Sequence, residues 1–337
     1  MLLPLLWRGM GALALAATFF ACEGEPTTPS TSNSADLGTP SLPGTAQPIA
    51  FSDAGSPAYA DDFADPFVLV ADSGYFAYST NRGLSNVPTL WSNDLVTWTP
   101  VGDAMPRLPE WAESGKRLTW APSVTGIGGQ FVLLFTARDR RSGRQCIGRA
   151  ESGSPAGPFV DRNAAPFICQ PELGGSIDAS FARVSDGGLY VIWKNDGNCC
   201  DQPVTLWSQR LSSDGRFLEG QRVELLQRDQ AWEGALIEAP TMWEENGKWH
   251  LLYSANMWDT PLYSTGYAEC DTPLGPCRKI GNGPVLQSDM QTAGPGGAEA
   301  FTDLAGRRWI AFHGWTAPHV GYRRGGVRSL RLAAITR

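Results

Sequence analysis

The sequence predicts an all-β protein built as a five-bladed β-propeller, and three observations carry that expectation. One phrase recurs five times: ADPFVLVADSGYFAYST from Ala64, WAPSVTGIGGQFVLLFTA from Trp120, IDASFARVSDGGLYVIWK from Ile177, IEAPTMWEENGKWHLLYSA from Ile237 and AEAFTDLAGRRWIAFHG from Ala298. Each copy has a short start, an apolar strand, a Gly-containing turn and an aromatic strand ending in a polar residue. The copies begin about 56 to 61 residues apart, a period that suits the short strands of one propeller blade. The third observation is periodicity. Hydrophobicity alternates with period two nearly everywhere, and no stretch of useful length reads as helix.

Composition agrees. Only 18% of the 337 residues are charged, below the usual share of about 25%, while 38 Gly, 25 Pro and 13 Trp describe a turn-rich, aromatic-rich β chain. A net charge of −7 and a pI near 5.1 argue against polyanionic partners such as nucleic acid. A monomer is expected.

Taken in order, residues 1–22 read as an export signal. Arg8 is their one charge, and the apolar run from Gly9 to Ala21 is too short for a comfortable membrane span. Ala21-Cys22 resembles a bacterial lipoprotein cleavage site, at which Cys22 becomes lipidated. Plain secretion is the alternative, and either places the protein outside the cytoplasm, free or anchored to the cell envelope. Residues 23–50, rich in Ser, Thr and Pro, read as a flexible tether. The propeller takes 51–337.

Apart from Cys22, six cysteines remain: Cys146, Cys169, Cys199, Cys200, Cys270 and Cys277. An even number in an exported chain suggests disulfides. Cys270 and Cys277 bracket a Pro- and Gly-containing turn and are expected to be bridged. Cys146 and Cys169 flank a blade-two connection. The adjacent Cys199 and Cys200 are either a vicinal disulfide or two thiols, and the sequence leaves the connectivity open. No Cys-x-x-Cys or His-Glu-x-x-His pattern suggests zinc.

Blade one is expected from about Phe63 to Met105, with the Ser92–Trp98 stretch as a structural turn between outer strands that resembles the turn motif of sialidase propellers. Blade two follows from about Thr119 to Ala165, blade three from Ser176 to Leu226, blade four from Ile237 to Leu286, and blade five from Gly296 to the end. Its last strand is the alternating tail from Gly325 to Leu332. His250, in the middle of a strand, reads as packing.

The first strand of each propeller blade lines the central axis, so residues far apart in sequence converge at one mouth. That gathers Asp65, Ala121, Asp178, Glu238 and Glu299 or their neighbours, with Asp65, Asp178 and Glu238 as acids at matching strand starts. Glu238 sits in the apolar run Ala235–Pro240, where burial would raise a carboxyl pKa and suit a general acid. Carboxyls with separated pKa values are what glycoside hydrolysis uses. Trp120, Trp232 and Trp258 lie beside these positions, where a flat ring can pack on a sugar face.

Ala-Asp-Pro, Trp-Ala-Pro-Ser, Ser-Ile-Asp, Glu-Ala-Pro, then Gly-Pro-Gly at Gly294 and Phe-His at His313, in that order, resemble glycoside hydrolase family 43 over residues 60 to 335. The resemblance implies that Asp65 is the general base, that Asp178 orients the acid and tunes its pKa, and that Glu238 is the general acid of an inverting hydrolysis. It implies that Arg328 contacts sugar hydroxyls, and that His313 holds a cation, Ca2+ on the propeller axis, or waters. No cofactor is otherwise required. The two reacting carboxyls of an inverting enzyme stand roughly 6.5 to 9.5 Å apart.

Three positions depart from the arabinanase pattern: Ala64 and Gly297 replace His, and Ala179 replaces Pro. These departures favour an exo-acting α-L-arabinofuranosidase or β-D-xylosidase, acting on arabinose- or xylose-containing plant cell-wall glycans. An endo-arabinanase, a galactan- or fructan-cleaving hydrolase, and a non-catalytic carbohydrate-binding propeller are the alternatives.

Overall fold

The computed structural model describes residues 49–336 apart from Lys116. Residues 1–48, which hold the expected export signal, Cys22 and most of the expected tether, lie outside the described residues. Strand β1 (Tyr59–Asp62) comes first and waits for a partner from the other end of the chain. Blade one is β2 (Phe67–Ala71), β3 (Gly74–Tyr78), β4 (Pro88–Ser92) and β5 (Thr99–Asp103). Blade two has three strands: β6 (Trp120–Ile127), β7 (Gln130–Arg138) and β8 (Gln145–Ser152). Blade three is β9 (Ser176–Arg183), β10 (Leu189–Asn195), β11 (Thr205–Leu211) and β12 (Leu218–Gln227). Blade four is β13 (Ile237–Glu245), β14 (Lys248–Ala255), β15 (Ser264–Cys270) and β16 (Cys277–Lys279). Blade five is β17 (Thr292–Thr302), β18 (Arg308–Thr316) and β19 (Arg328–Ala334), completed by β1, which pairs antiparallel with β19.

The five-bladed propeller is therefore present, with one addition to the expected blade five. Its outermost strand comes from the start of the domain, so the ring is closed by hydrogen bonds between the two ends of the chain. Blades one and five each keep only a short outer edge strand, β5 in blade one and the four-residue β1 in blade five. The inner strands follow one another in the order β2, β6, β9, β13, β17 and back to β2.

Period two explains how the blades hold together. Successive residues of each second strand face opposite sides of the sheet, so each strand feeds two cores. Leu133 and Phe135 pack with Leu69 and Phe76 between blades one and two, whereas Leu134 packs with Val191 and Trp193 between blades two and three. Leu251 and Tyr253 pack between blades three and four, and Leu252 between four and five with Ile310 and Phe312. Ala311 joins Val68 and Leu330 between blades five and one. Burying a residue such as Leu251 contributes about 1.5–3 kcal/mol. The helical pieces among the described residues are four short 3-10 turns.

Local expectations also find their place. Asp94 Oδ1 accepts the backbone N–H groups of Val96 and Thr97 at 2.9 and 2.8 Å, which makes Ser92–Trp98 a side-chain-closed turn with Trp98 buried at its end. His250 stacks on Trp243, 5.1 Å between ring centroids, and meets the Tyr267 hydroxyl. Cys270 is bridged to Cys277, Cys146 to Cys169 and Cys199 to Cys200.

Candidate active site

Each blade begins with a residue in the left-handed backbone region: Asp65 (φ 49°), Ala121 (φ 44°), Asp178 (φ 57°), Ala239 (φ 48°) and Gly297 (φ 61°). Four of the five are not glycine, and left-handed backbone costs about 1–2 kcal/mol at such residues. A register irregularity accompanies the start of β6, β13 and β17. The five residues surround a cavity of about 20 Å³ on the axis, lined also by Pro122 and Glu299. That is room for about one water.

Hydrogen bonds tie the ring together by one rule. The N–H of each left-handed residue donates to a side chain from the preceding blade. Ala121 donates to Thr80 Oγ1 (3.0 Å), Asp178 to Thr136 Oγ1 (3.4 Å), Gly297 to Ser254 Oγ (2.8 Å), and Asp65 to His313 Nδ1 (3.1 Å). In the fifth case Ala239 donates to Asp178 Oδ2 at 3.0 Å. Thr136, Ser254 and His313 occupy one repeat position on the second strand, and Thr80, two residues beyond β3 and bonded through its N–H to Ala64, is its counterpart in blade one. Lys194 occupies it in blade three.

This frame corrects the expected alignment of the acids. Asp65 and Asp178 are equivalent, but Glu238 stands one residue earlier, matching Trp120 of blade two. The reason is the left-handed residue itself, which in blade four is Ala239. A one-residue offset turns a side chain in a different direction. The apolar sequence neighbours of Glu238 are likewise not its spatial neighbours. Ile237 faces the core, while Glu238 Oε2 lies 2.8 Å from the Lys194 ammonium and Oε1 accepts the Tyr263 hydroxyl at 2.9 Å.

Asp65 is surrounded by donors. Thr80 donates to Oδ2 at 2.5 Å, and Arg328 Nη1 lies 3.5 Å from Oδ1. Burial would raise the Asp65 pKa. The charge of Arg328, with His313 and the Thr80 bond, outweighs burial and holds it below the ordinary carboxylate range. Asp178 goes the other way. Burial first, then the charge of Glu238, pushes its carboxyl well above that range, against the pull of Lys194. Glu299, two residues beyond Gly297, accepts a hydrogen bond from Ser180 at 3.0 Å, and burial pushes it up to about 8.

Arg328 and Trp258 are brought together as expected, since the guanidinium lies over the indole at 4.6 Å. Trp315 stacks behind Trp258, and a relay runs from Arg328 Nε to the Tyr322 hydroxyl and on to Asp62 at 3.0 Å each. Trp120 is half-buried one residue before Ala121. Trp232 packs on the core between blades three and four, tilted against Tyr253, with its indole N–H donating to Gln230. It lies in the short turn at Ala231–Glu233 and is partly buried there.

His313 is fully buried, and its pKa is driven down to about 3 by burial and then by Arg328. Because Nδ1 accepts the Asp65 N–H, the ring proton sits on Nε2, leaving a donor and not a cation ligand. Among the described residues no group of three or more His, Cys, Asp or Glu side chains is arranged to hold a metal ion. The residues present do not fit direct Ca2+ coordination at His313.

Sequence reasoning missed Thr80, Lys194, Tyr263, Tyr322 and Asp62. Lys194 carried a signal, a lysine ending the buried run Val191-Ile192-Trp193. Tyr263 carried none of its own, but glycine did. A Cβ on Gly296 would lie 2.2 Å from the Tyr263 ring, so this glycine admits the tyrosine that reaches Glu238.

Three carboxyls, Asp65, Asp178 and Glu238, thus meet at the axis of a five-bladed propeller in differing surroundings, the kind of set that glycoside hydrolysis uses. Residues 54–336 match the model of glycosyl hydrolases family 43, and the chain belongs to that family. It is 26% identical over 278 residues to the β-D-galactofuranosidase xynD of Aspergillus niger, covering 77% of this chain and 76% of that protein. It is 26% identical over 264 residues to a probable arabinan endo-1,5-α-L-arabinosidase C of Aspergillus flavus, covering 71% of this chain and 78% of the other. A thermostable family-43 glycoside hydrolase structure superposes with a TM-score of 0.70 at 29% identity, covering 86% of this chain and 91% of that one.

Proposed function

We propose that this glycosidase is an inverting, exo-acting enzyme that releases arabinofuranosyl or xylosyl units, with Asp65 as general base, Glu238 as general acid and Asp178 as the residue that orients and tunes the acid. The observation that carries the reading is the opposite surroundings of two equivalent residues. Arg328 and Thr80 reach Asp65 and lower its carboxyl pKa, as a base requires, while Asp178 is buried near Glu238, which raises its own. Asp65 lies on blade one and Glu238 on blade four, with blade five between them. Direct attack by a water placed beside Asp65 then follows, with Glu238 protonating the departing oxygen.

The stacked wall of Trp258, Arg328 and Tyr322 stands beside Asp65 and supports a pocket that grips a terminal sugar. A second reading, an endo-acting arabinanase, is favoured by the Aspergillus flavus relative. The Aspergillus niger relative adds galactofuranosides to the substrates worth testing.

Nitrophenyl α-L-arabinofuranoside, β-D-xylopyranoside and β-D-galactofuranoside, followed by product sizing on linear arabinan, separate these readings. Monosaccharide as the sole early product is expected; a ladder of oligosaccharides would overturn exo action. Proton NMR in the first minutes should show the anomer opposite to that of the substrate. Early release of the retained anomer would remove Asp65 from the base role.

A further inference from the structure

Lys194 is the exception in the ring. At its repeat position the other four blades carry a group that accepts the next blade's N–H: Thr80, Thr136, Ser254 and His313. An ammonium has three donors and no acceptor, so Lys194 cannot do this. The structure compensates, because Asp178 Oδ2 takes the Ala239 N–H instead. Lys194, fully buried, reaches forward and places Nζ 2.8 Å from Glu238 Oε2. A buried lysine that breaks the frame of its own repeat, and forces a neighbouring carboxylate to stand in, costs stability unless its charge is used. We propose that Lys194 is a positioning residue that holds the Asp178–Glu238 pair to one shared proton instead of two, and frees Glu238 to take that proton when substrate binds. This rests on the reading of Glu238 as the acid.

The charges support it. Around Lys194 stand Glu238 from β13, Asp178 from β9 and Asp196 just beyond β10, and Arg144 acts on Asp196. Around Glu238 stand Lys194 and the Tyr263 hydroxyl. Asp178 also senses the charge of Asp65, and Glu299 in turn senses Asp178. Both oxygens of Glu238 accept hydrogen bonds here, so in this state it offers no proton to a substrate. With Lys194 charged and one proton on the pair, the trio is neutral whether the proton sits on Asp178 or on Glu238. Moving it between them therefore buries no net charge.

In the proposed step the Asp178 O–H gives its proton to the Glu238 carboxylate while the ammonium turns from Glu238 towards Asp178. Glu238 then gives that proton to the glycosidic oxygen as the carbon–oxygen bond breaks. Water adds to the anomeric carbon and loses its proton to Asp65. Asp65 afterwards releases a proton to solvent, and the pair regains one.

The test is Lys194→Thr, which installs the residue that blades one and two use at this position, with Lys194→Arg as the charge-retaining control. Each is measured on a nitrophenyl glycoside, whose leaving group needs little protonation, and on an oligosaccharide. Lys194→Thr should lose about 10²-fold in kcat/KM on the oligosaccharide and only a few-fold on the nitrophenyl substrate. The alkaline limb of its kcat/KM profile should move up by about 1 to 3 in pH, since an adjacent cation is gone. Lys194→Arg should keep the limb in place. Equal losses on both substrates with an unmoved limb would reduce Lys194 to a structural role and overturn the proposal, as would a moved limb in Lys194→Arg. Glu238→Gln is run alongside. If it shows no leaving-group dependence, the assignment of the acid fails. If it shows one and Lys194→Thr does not, the inference about Lys194 alone fails.

Discussion

Asp65 and Asp178 occupy the same position in two copies of one repeat. Both are left-handed, both follow a residue that pairs with the second strand, and both line one axial cavity. Yet one carboxyl is held below its ordinary pKa and the other well above it. The repeat supplies the position, and the neighbours supply the chemistry. For Asp65 these are Arg328 from the last strand of blade five and Thr80 from its own blade. For Asp178 they are a buried setting and Glu238, displaced by one residue from the frame. Two similar side chains are thus pushed in opposite pKa directions, Asp65 by Arg328 from 263 residues away and Thr80 from 15, Asp178 by burial and by Glu238 from the next blade.

The strongest way to break the comparison is to remove the charge from each in turn. Asp65→Asn should lower kcat by about 10²–10⁴-fold on every substrate, because of the three carboxyls that line the cavity Asp65 alone is held below its ordinary pKa, while Asp178 and Glu299 are raised. Asp178→Asn retains the size of the protonated acid and should lose less. Its mark should be on the alkaline limb instead. In the parent enzyme activity should fall as pH rises and the shared proton is lost, and should fall in acid as Asp65 is protonated below its already lowered pKa. Without Asp178, whose carboxyl is raised by burial and by Glu238, the alkaline limb should move. A pH profile of kcat/KM for both variants checks this; equal losses with unmoved limbs would mean the two aspartates are not differentiated.

How much of this could be read from the chain is uneven for a physical reason. Strand periodicity is local, so the five blades, their order and the residues at the axis were legible. The three carboxyls were legible too, because each sits in a short phrase beside Pro or Ala. Their alignment was not. It depends on which residue adopts positive φ, and Glu238-Ala239-Pro240 looks the same in sequence as Ala64-Asp65-Pro66 shifted by one. The partners that set proton states were the least legible. Arg328 was suggested by resemblance, but Thr80, just beyond β3, and Tyr263, just before β15, carry no local mark of facing the axis, and Lys194 carries only its place at the end of a buried apolar run. Strand β1 was hidden because its partner, β19, lies at the other end of the domain.

A smaller effect isolates the Asp65 side. Thr80 donates to Asp65 and accepts from Ala121, so Thr80→Val removes both bonds with little change in volume. A hydrogen bond to the charged form favours that form, so its loss should raise the Asp65 pKa and move the acid limb of kcat/KM upward. Activity near neutral pH should fall by about tenfold or less, with the alkaline limb unmoved. A shift of the alkaline limb would mean that Thr80 acts on the Asp178 side as well.

The smallest effect sharpens the claim that frame and chemistry are separable. Ala121 holds in blade two the position of Asp65 and Asp178, at φ 44°, but has no carboxyl. An alanine there bears left-handed strain of about 1–2 kcal/mol, which glycine escapes. Glycine also loses about 0.5–1 kcal/mol of backbone freedom on folding. Ala121→Gly should therefore leave stability unchanged or raise it by about 1 kcal/mol, a rise in Tm of about 1–3 °C. Its turnover should stay within about twofold, because the N–H that reaches Thr80 is kept. Thermal unfolding followed by circular dichroism, with an assay on the same sample, measures both. A large drop in Tm would show that the Ala121 methyl packs the axis, and that the ring is held by side-chain fit as well as by its five backbone hydrogen bonds.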